Sequence, residues 1–253
     1  MSDSLPGWDS PLVQFGVGAF ETLRCESGNF PLLRWHRDRI SRALEIWGVA
    51  PEKLEAPWQS LLERGRALED VSHRRVKLLI GLTETDELVH HVFDFSFAPN
   101  SQSRTLRLES QRIFLPQSFK TTSYEEHYWA RRKAAREGVS DVLYVDEKRE
   151  MLEASTSCLL IWDGSHFLVR DKGPVLASTS LASLRSRYPE AFKLVSAFPL
   201  NLTERFPLVM MSALNGMAHV GRLVDGQDSH ELKPIDEGLL EDWNRRLFAH
   251  SES

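Results

Sequence analysis

Lysine is the scarce base of this sequence, eight residues against 23 arginines. Lys120 is the one whose surroundings suggest chemistry. It follows Phe119 in a loop ahead of a helix and is trailed by Thr121, Thr122 and Tyr124. A primary amine can condense with an aldehyde and carry protons once burial or a nearby cation depresses its pKa. Taken alone, it also fits a plain surface lysine. Glu153 sits in Met151-Leu-Glu-Ala-Ser-Thr-Ser157, just before an apolar strand. Taken alone, it reads as an exposed carboxylate at a strand end. Arg34, Arg37, Arg39 and Arg42 crowd one helix. A run of charge is ordinarily a solvated face. Arg39, however, lies three residues after His36 beside the apolar stripe, and a partly buried arginine needs an anionic partner. A phosphate is one candidate.

Other motifs point to less. Gly16-Val-Gly-Ala-Phe-Glu21 resembles the start of a dinucleotide fingerprint, but Glu21 stands at the third glycine position and a strand follows. The helix N-terminus that would hold a pyrophosphate is missing, so the glycines are read as a tight turn into a strand. His90 and His91 are neighbours in a strand and must face opposite sides. No cluster has metal-ligand spacing, so no metal is expected. There is no Gly-x-Ser-x-Gly elbow and no phosphate-binding P-loop. Cys158 lies in an apolar strand and reads as packing. With Cys25 it makes only two cysteines, too few for a disulfide framework or a four-thiolate zinc site.

Composition bounds the rest. The 253 residues are 42% hydrophobic and 26% charged, an ordinary globular mix that suits one large domain or two small ones. The net charge of −5 leaves no basic excess for nucleic acid. Met1-Ser-Asp-Ser-Leu-Pro6 has no basic stretch before an apolar run, so no signal peptide is expected. No window approaches the roughly 18 apolar residues of a membrane span. A cytoplasmic protein is the expectation.

The elements that must position these residues follow from hydrophobic period. After a loose lead-in over 1–12, residues 13–25 read as a strand. Leu33, His36, Ile40, Ala43, Leu44 and Trp47 fall at helical spacing and Gly48 stops the run. Leu54, Trp58, Leu61 and Leu62 suggest a second helix, and 75–82 and 88–97 read as strands. The polar stretch 98–104 is the best linker. Beyond it the expectation is a strand (105–114), a loop (115–122), a helix (123–137), and strands at 141–146 and 157–162. Asp163-Gly164 marks a hairpin into 166–170. A helix near 179–187, strands near 192–199 and 207–212 and a helix near 236–248 complete the reading. The fold class is mixed α/β in two parts, with an N-terminal domain over 1–98, a linker over 99–104 and a larger C-terminal domain over 105–253.

Five blocks in order carry a resemblance. They are Phe15-Gly-Val-Gly-Ala-Phe-Glu-Thr-Leu-Arg24, Leu33-Arg-Trp-His-Arg-Asp-Arg-Ile40, Lys120 with Tyr124, Glu137-Gly-Val-Ser-Asp-Val-Leu-Tyr-Val-Asp146 followed by Leu152-Glu-Ala-Ser-Thr-Ser157, and Ser212-Ala-Leu-Asn-Gly-Met-Ala-His-Val220. Each is weak alone. Together, with matching gaps over about 14–220, they resemble the class IV (fold-type IV) pyridoxal-phosphate enzymes. That family includes branched-chain and D-amino-acid aminotransferases and 4-amino-4-deoxychorismate lyase. The resemblance implies a two-domain fold-type IV enzyme with pyridoxal 5'-phosphate as cofactor. It implies Lys120 as the Schiff-base lysine, Glu153 at the pyridine nitrogen and Arg39 on the phosphate, with Tyr124 near the ring phenolate oxygen. It also implies a homodimer with its active site between the domains.

The chain departs from the pattern in places. The phosphate turn Leu-x-Gly-Ile-Thr-Arg is here Leu176-Ala-Ser-Thr-Ser-Leu181, so Ser178 replaces the glycine and Leu181 the arginine. Thr179 and Ser180 remain as candidate phosphate ligands ahead of a helix. Cys158 replaces an asparagine, Val17 an acidic residue and His219 a proline. The chain length and the Ser212-Ala-Leu-Asn-Gly-Met217 block resemble the lyase branch, which acts on the small-molecule amine 4-amino-4-deoxychorismate and yields 4-aminobenzoate and pyruvate. Arg24 and Asn215 are candidate substrate-facing groups, with strand and turn structure as their plain alternatives. An aminotransferase and a non-catalytic family member remain the rival readings.

Overall fold

The computed structural model describes residues 17–100, 102–110, 119–171 and 173–249. These residues form two compact units, 17–99 with 119–124, and 100, 102–110, 125–171 and 173–249.

The first unit contains β1 (Gly18–Cys25), α1 (Leu33–Trp47), α2 (Glu55–Arg66), β2 (Arg74–Leu82) and β3 (Leu88–Ser96). The strands form an antiparallel meander in the order β1-β2-β3. Strand alternation sends Ala19, Leu23, Val76, Leu78 and Ile80 to one face, where they bury against Ile40, Ala43 and Leu44 of α1 and Trp58 and Leu61 of α2. Gly48, at φ 68°, closes α1 with its N–H on the carbonyls of Glu45 and Leu44, a left-handed cap that glycine adopts without a Cβ penalty. His90 and His91 do part company. His90 Nε2 lies 3.0 Å from Ser60 Oγ of α2, while His91 packs beside Phe93 on the other face.

Residues 119–124 extend this sheet past β1. The Phe20 N–H donates to the Lys120 carbonyl and the Thr122 N–H to the Gly18 carbonyl, both at 2.9 Å, and Ala19 bridges Thr121 in antiparallel fashion. Phe119 buries in the core and meets the Trp47 ring edge-on at 6.0 Å. The loop read from sequence as part of the second domain therefore packs on the first, because one phenylalanine anchors it there.

The second unit holds nine strands: β4 (Arg104–Ser110), β5 (Asp141–Val145), β6 (Met151–Ala154), β7 (Cys158–Trp162), β8 (Phe167–Arg170), β9 (Phe192–Val195), β10 (Leu208–Ser212), β11 (Gly216–Asp225) and β12 (Asp228–Glu231). Their order is β6-β5-β4-β11-β10-β7-β8-β9, with β12 added to β11. The β4–β5, β4–β11 and β8–β9 pairs are parallel and the rest antiparallel, so the sheet is mixed. Helices α3 (Glu125–Arg136), α4 (Thr179–Arg187) and α5 (Glu237–Phe248) complete the unit. One core gathers Leu106, Leu143, Ile161, Phe198, Leu208 and Val220. A second gathers Ala134, Val142, Tyr144 and Leu152.

Three strands differ from the sequence reading. β6 was expected only as a strand end at Glu153, and β11 and β12 were not expected. The 13–16 part of the first expected strand and the 111–114 part of the fourth lie outside the described residues.

Candidate active site

In the first unit, alternation along the added strand buries Phe119 and turns Lys120 to the opposite face. The Lys120 side chain is half-buried, with Nζ 5.5 Å from the Phe20 ring centroid and 5.8 Å from that of Tyr124. The two rings meet edge-on at 5.5 Å. The amine is thus set against aromatic faces, which steady a cation and limit its hydration.

Behind the sheet lies a buried charged cluster. Glu21 of β1 is wholly buried. Its carboxylate accepts from Arg39 Nε and Nη2 at 2.6 Å each, and from His36 Nδ1 at 2.6 Å. Burial alone would raise the Glu21 pKa, but Arg39 and His36 outweigh it and hold the group at about 2. Burial lowers the pKa of His36 against the pull of Glu21. A neutral imidazole donating from Nδ1 leaves Nε2 as an acceptor, buried and without a partner among the described residues. Arg39 was expected to need an anion, and Glu21 meets two of its donors. The signal was present in the sequence, since Glu21 shares the inward register of Ala19 and Leu23.

The sheet face that carries Phe20 also carries Thr22, Arg24, Arg75, Lys77 and Phe93, as the pairings Thr22–Lys77, Arg24–Arg75 and Lys77–Phe93 require. Arg24 is paired with Glu26. Lys77 and Arg75 have no carboxylate partner among the described residues. Lys77 Nζ lies 4.1 Å from the Phe20 centroid and 5.8 Å from that of Phe93. Burial, with Arg75 adding repulsion, pulls its pKa down. Arg75 lies over Phe95 at 4.6 Å, and its buried Nε has no hydrogen-bond partner among the described residues. Neither residue stood out in the sequence; three basic residues, Arg74, Arg75 and Lys77, at the start of an apolar strand were the available signal.

In the second unit Glu153 is buried on β6. Leu143 faces Ala154 and Val145 faces Met151, so Leu152 and Glu153 together oppose Tyr144 alone. This bulge re-aims the carboxylate, and Glu153 Oε2 accepts from the Leu176 N–H at 3.1 Å. The altered turn leads from there into α4. Ser178 caps the helix, its Oγ accepting from the Leu181 N–H at 3.2 Å. Thr179 and Ser180 are buried, and Ser180 Oγ has no partner among the described residues. Asn215 lies in the β10–β11 turn, where its Oδ1 accepts from the Asn100 N–H at 3.1 Å. That bond serves the turn. Cys158 Sγ lies 3.5 Å from the Met211 carbonyl.

The donor set suits pyridoxal phosphate. A helix N-terminus with an unpartnered buried hydroxyl matches a phosphate. A buried carboxylate matches a protonated pyridine nitrogen and a half-buried amine matches an aldehyde. Among the described residues no group of three His, Cys, Asp or Glu side chains could hold a metal ion. No helix among them is long and apolar enough to cross a membrane.

Comparison with known proteins agrees. No curated protein sequence matches the chain. A fold IV-transaminase from Curtobacterium pusillum superposes with a TM-score of 0.82 at 19% identity, over 98% of this chain and 91% of that one. A hypothetical aminotransferase from Mycobacterium tuberculosis in its PLP-bound form does so with 0.82 at 18%, over 99% and 96%. A putative 4-amino-4-deoxychorismate lyase from Legionella pneumophila gives 0.74 at 17%, over 98% and 96%. At these identities the likeness is one of fold. The model of class IV amino-transferases matches residues 18–204, and the chain belongs to that pyridoxal-phosphate-dependent family.

Proposed function

We propose that this protein is a lyase converting 4-amino-4-deoxychorismate to 4-aminobenzoate and pyruvate. The observation that carries the reading is the pair of cations, Arg75 and Lys77, without a carboxylate partner among the described residues, on the sheet face that Lys120 also borders. Lys77 and Lys120 lie over the same Phe20 ring, at 4.1 and 5.5 Å from its centroid. The substrate is a ring bearing two carboxylates and an amine. Two cations set among Phe20, Phe93 and Phe95 suit such a dianionic ring, whereas an apolar amino acid would leave both uncompensated.

When bound, pyridoxal phosphate supplies an aldehyde for the substrate amine and a ring that accepts electron density. Ser180, Thr179 and the first N–H groups of α4 would bind its phosphate, and Arg39, whose guanidinium plane Glu21 fixes, is a further phosphate ligand of this reading. Glu153 would hold a proton on the ring nitrogen, and Tyr124 would donate to the phenolate oxygen. Lys120 would tether the aldehyde, and its Nζ, once free, would remove a ring C–H proton from the substrate. Enolpyruvate leaves from the neighbouring carbon as the ring becomes aromatic, so no oxidant or second substrate is consumed. Arg24 and Asn215, both engaged in local bonds, are secondary candidates for substrate contact. The same reading includes a cytoplasmic homodimer, which light scattering checks for its oligomeric part.

The test is direct. Purified protein loaded with cofactor is given 4-amino-4-deoxychorismate without any amino-group acceptor. Formation of 4-aminobenzoate and pyruvate in equal amounts supports the lyase. Turnover of amino acids that depends on an added 2-oxo acid, with no 4-aminobenzoate, identifies an aminotransferase instead.

A further inference from the structure

The bulge that aims Glu153 needs anchoring, because a slipped ladder leaves backbone groups unpaired and offers neighbouring registers of similar energy. At its start the strand is tied twice. The Met151 N–H donates to the Phe198 carbonyl at 2.7 Å, and the Met151 carbonyl accepts from Arg170 Nη1 at 3.0 Å. At its end the chain turns sharply, the Ala154 N–H meeting the Ser157 carbonyl at 2.9 Å. Asp141, at the head of β5, holds this turn from outside.

Asp141 is buried. Its Oδ1 accepts from the Ser155 hydroxyl and, at 2.8 Å, from the Val142 N–H. Its Oδ2 accepts from Thr156 Oγ1 at 3.3 Å. The Ser155 N–H in turn donates to the Val142 carbonyl at 3.2 Å. The charged groups facing Asp141 are Arg131, with Nε at 3.9 Å, and Arg104. A carboxylate that costs much to bury is thus spent on hydroxyls two and three residues beyond Glu153. An uncharged residue would hold a core position more cheaply.

We infer that Asp141 is the positioning residue for Glu153: through Ser155 and Thr156 it fixes the turn after the bulge and so sets where the Glu153 carboxylate points. This rests on the reading that Glu153 serves the cofactor ring nitrogen, and it is independent of which substrate the enzyme takes. Loosening the clamp leaves the cofactor attached but weakens the control of its ring nitrogen.

The experiment is a pH titration of the cofactor absorption band in the holoenzyme without substrate, comparing wild type, Asp141→Asn, Ser155→Ala and Glu153→Gln. The midpoint in Asp141→Asn is expected to move by about half a unit or more in the direction seen for Glu153→Gln. Its kcat is expected to fall about tenfold, the scale of one lost bond to a charged group, with KM within about twofold. The double variant Asp141→Asn/Ser155→Ala should be no worse than Asp141→Asn alone within about twofold, since the two act as one unit. A folded Asp141→Asn protein with the wild-type midpoint overturns the inference, as do multiplicative effects in the double variant. If Asp141→Asn does not fold, Ser155→Ala and Thr156→Val decide: a shifted midpoint supports the clamp and an unshifted one overturns it. A lyase assay that fails while the midpoints shift as expected rejects the substrate assignment alone. A midpoint unmoved by Glu153→Gln rejects the role of Glu153, and the inference falls with it.

Discussion

Glu21 grips Arg39 with two hydrogen bonds of 2.6 Å, bidentate and wholly shielded from water. The pair fixes the plane of the guanidinium before any ligand arrives, and His36 takes part through the same carboxylate. Pre-set geometry of this kind lowers the ordering cost of holding a phosphate.

Breaking that pair tests its contribution. Glu21→Gln strands a buried guanidinium and should cost about 3–5 kcal/mol in urea unfolding at neutral pH. The carboxyl is held at about 2 against a reference of 4.5. Its contribution is therefore full above about pH 4.5 and is lost as pH falls toward 2. The gap between wild type and variant should close over that interval. A gap unchanged between pH 7 and 2 would contradict the assignment.

Lys77 predicts the opposite sign for stability. Its ammonium is half-buried without a counter-charge among the described residues, and its pKa is lowered by burial. Lys77→Met should therefore raise the melting temperature, with a gain of about 1 kcal/mol at neutral pH. The gain should shrink as pH rises through the lowered pKa toward 10.5, where the unfolded lysine also loses its proton. The same variant should raise KM for the dianionic substrate about tenfold or more. An unchanged KM removes Lys77 from the substrate site.

Ser180 Oγ is a buried hydroxyl at the start of α4 without a partner among the described residues. Ser180→Ala removes an acceptor and donor that make no bond to those residues, so unfolding stability without cofactor should change by less than about 0.5 kcal/mol. Cofactor affinity, measured by equilibrium dialysis, should fall about tenfold. Equal affinity in the variant would take the 176–181 turn out of the phosphate site.

The sequence made α1 legible through its six-position stripe from Leu33 to Trp47 and its glycine stop, and α4 through the hydroxyl-rich start ahead of residues 179–187. β11 escaped notice because Gly216 and Gly221 interrupt its alternation and Ser212–Asn215 reads as a turn. β6 has four residues and a bulge, so no period can mark it. Lys120, Glu153 and Arg39 stood out through spacing, yet their supports did not. Glu21 supports Arg39 from eighteen residues away in sequence, and Asp141 reaches Ser155 across a hairpin. Such pairs form only once strand register is fixed, and register is a property of the sheet, not of any local window.

Glu153→Ala separates attachment from turnover. The cofactor should remain attached, because its tether is elsewhere, while turnover falls about a hundredfold or more as the ring nitrogen loses its counter-charge. Activity within a few-fold of wild type would contradict the role given to Glu153.

The most direct test of the central claim is borohydride reduction of the cofactor-loaded protein followed by peptide mapping. A pyridoxyl group on Lys120, and on no other of the eight lysines, is the predicted result. A label on any other lysine, or no label at all, would contradict it.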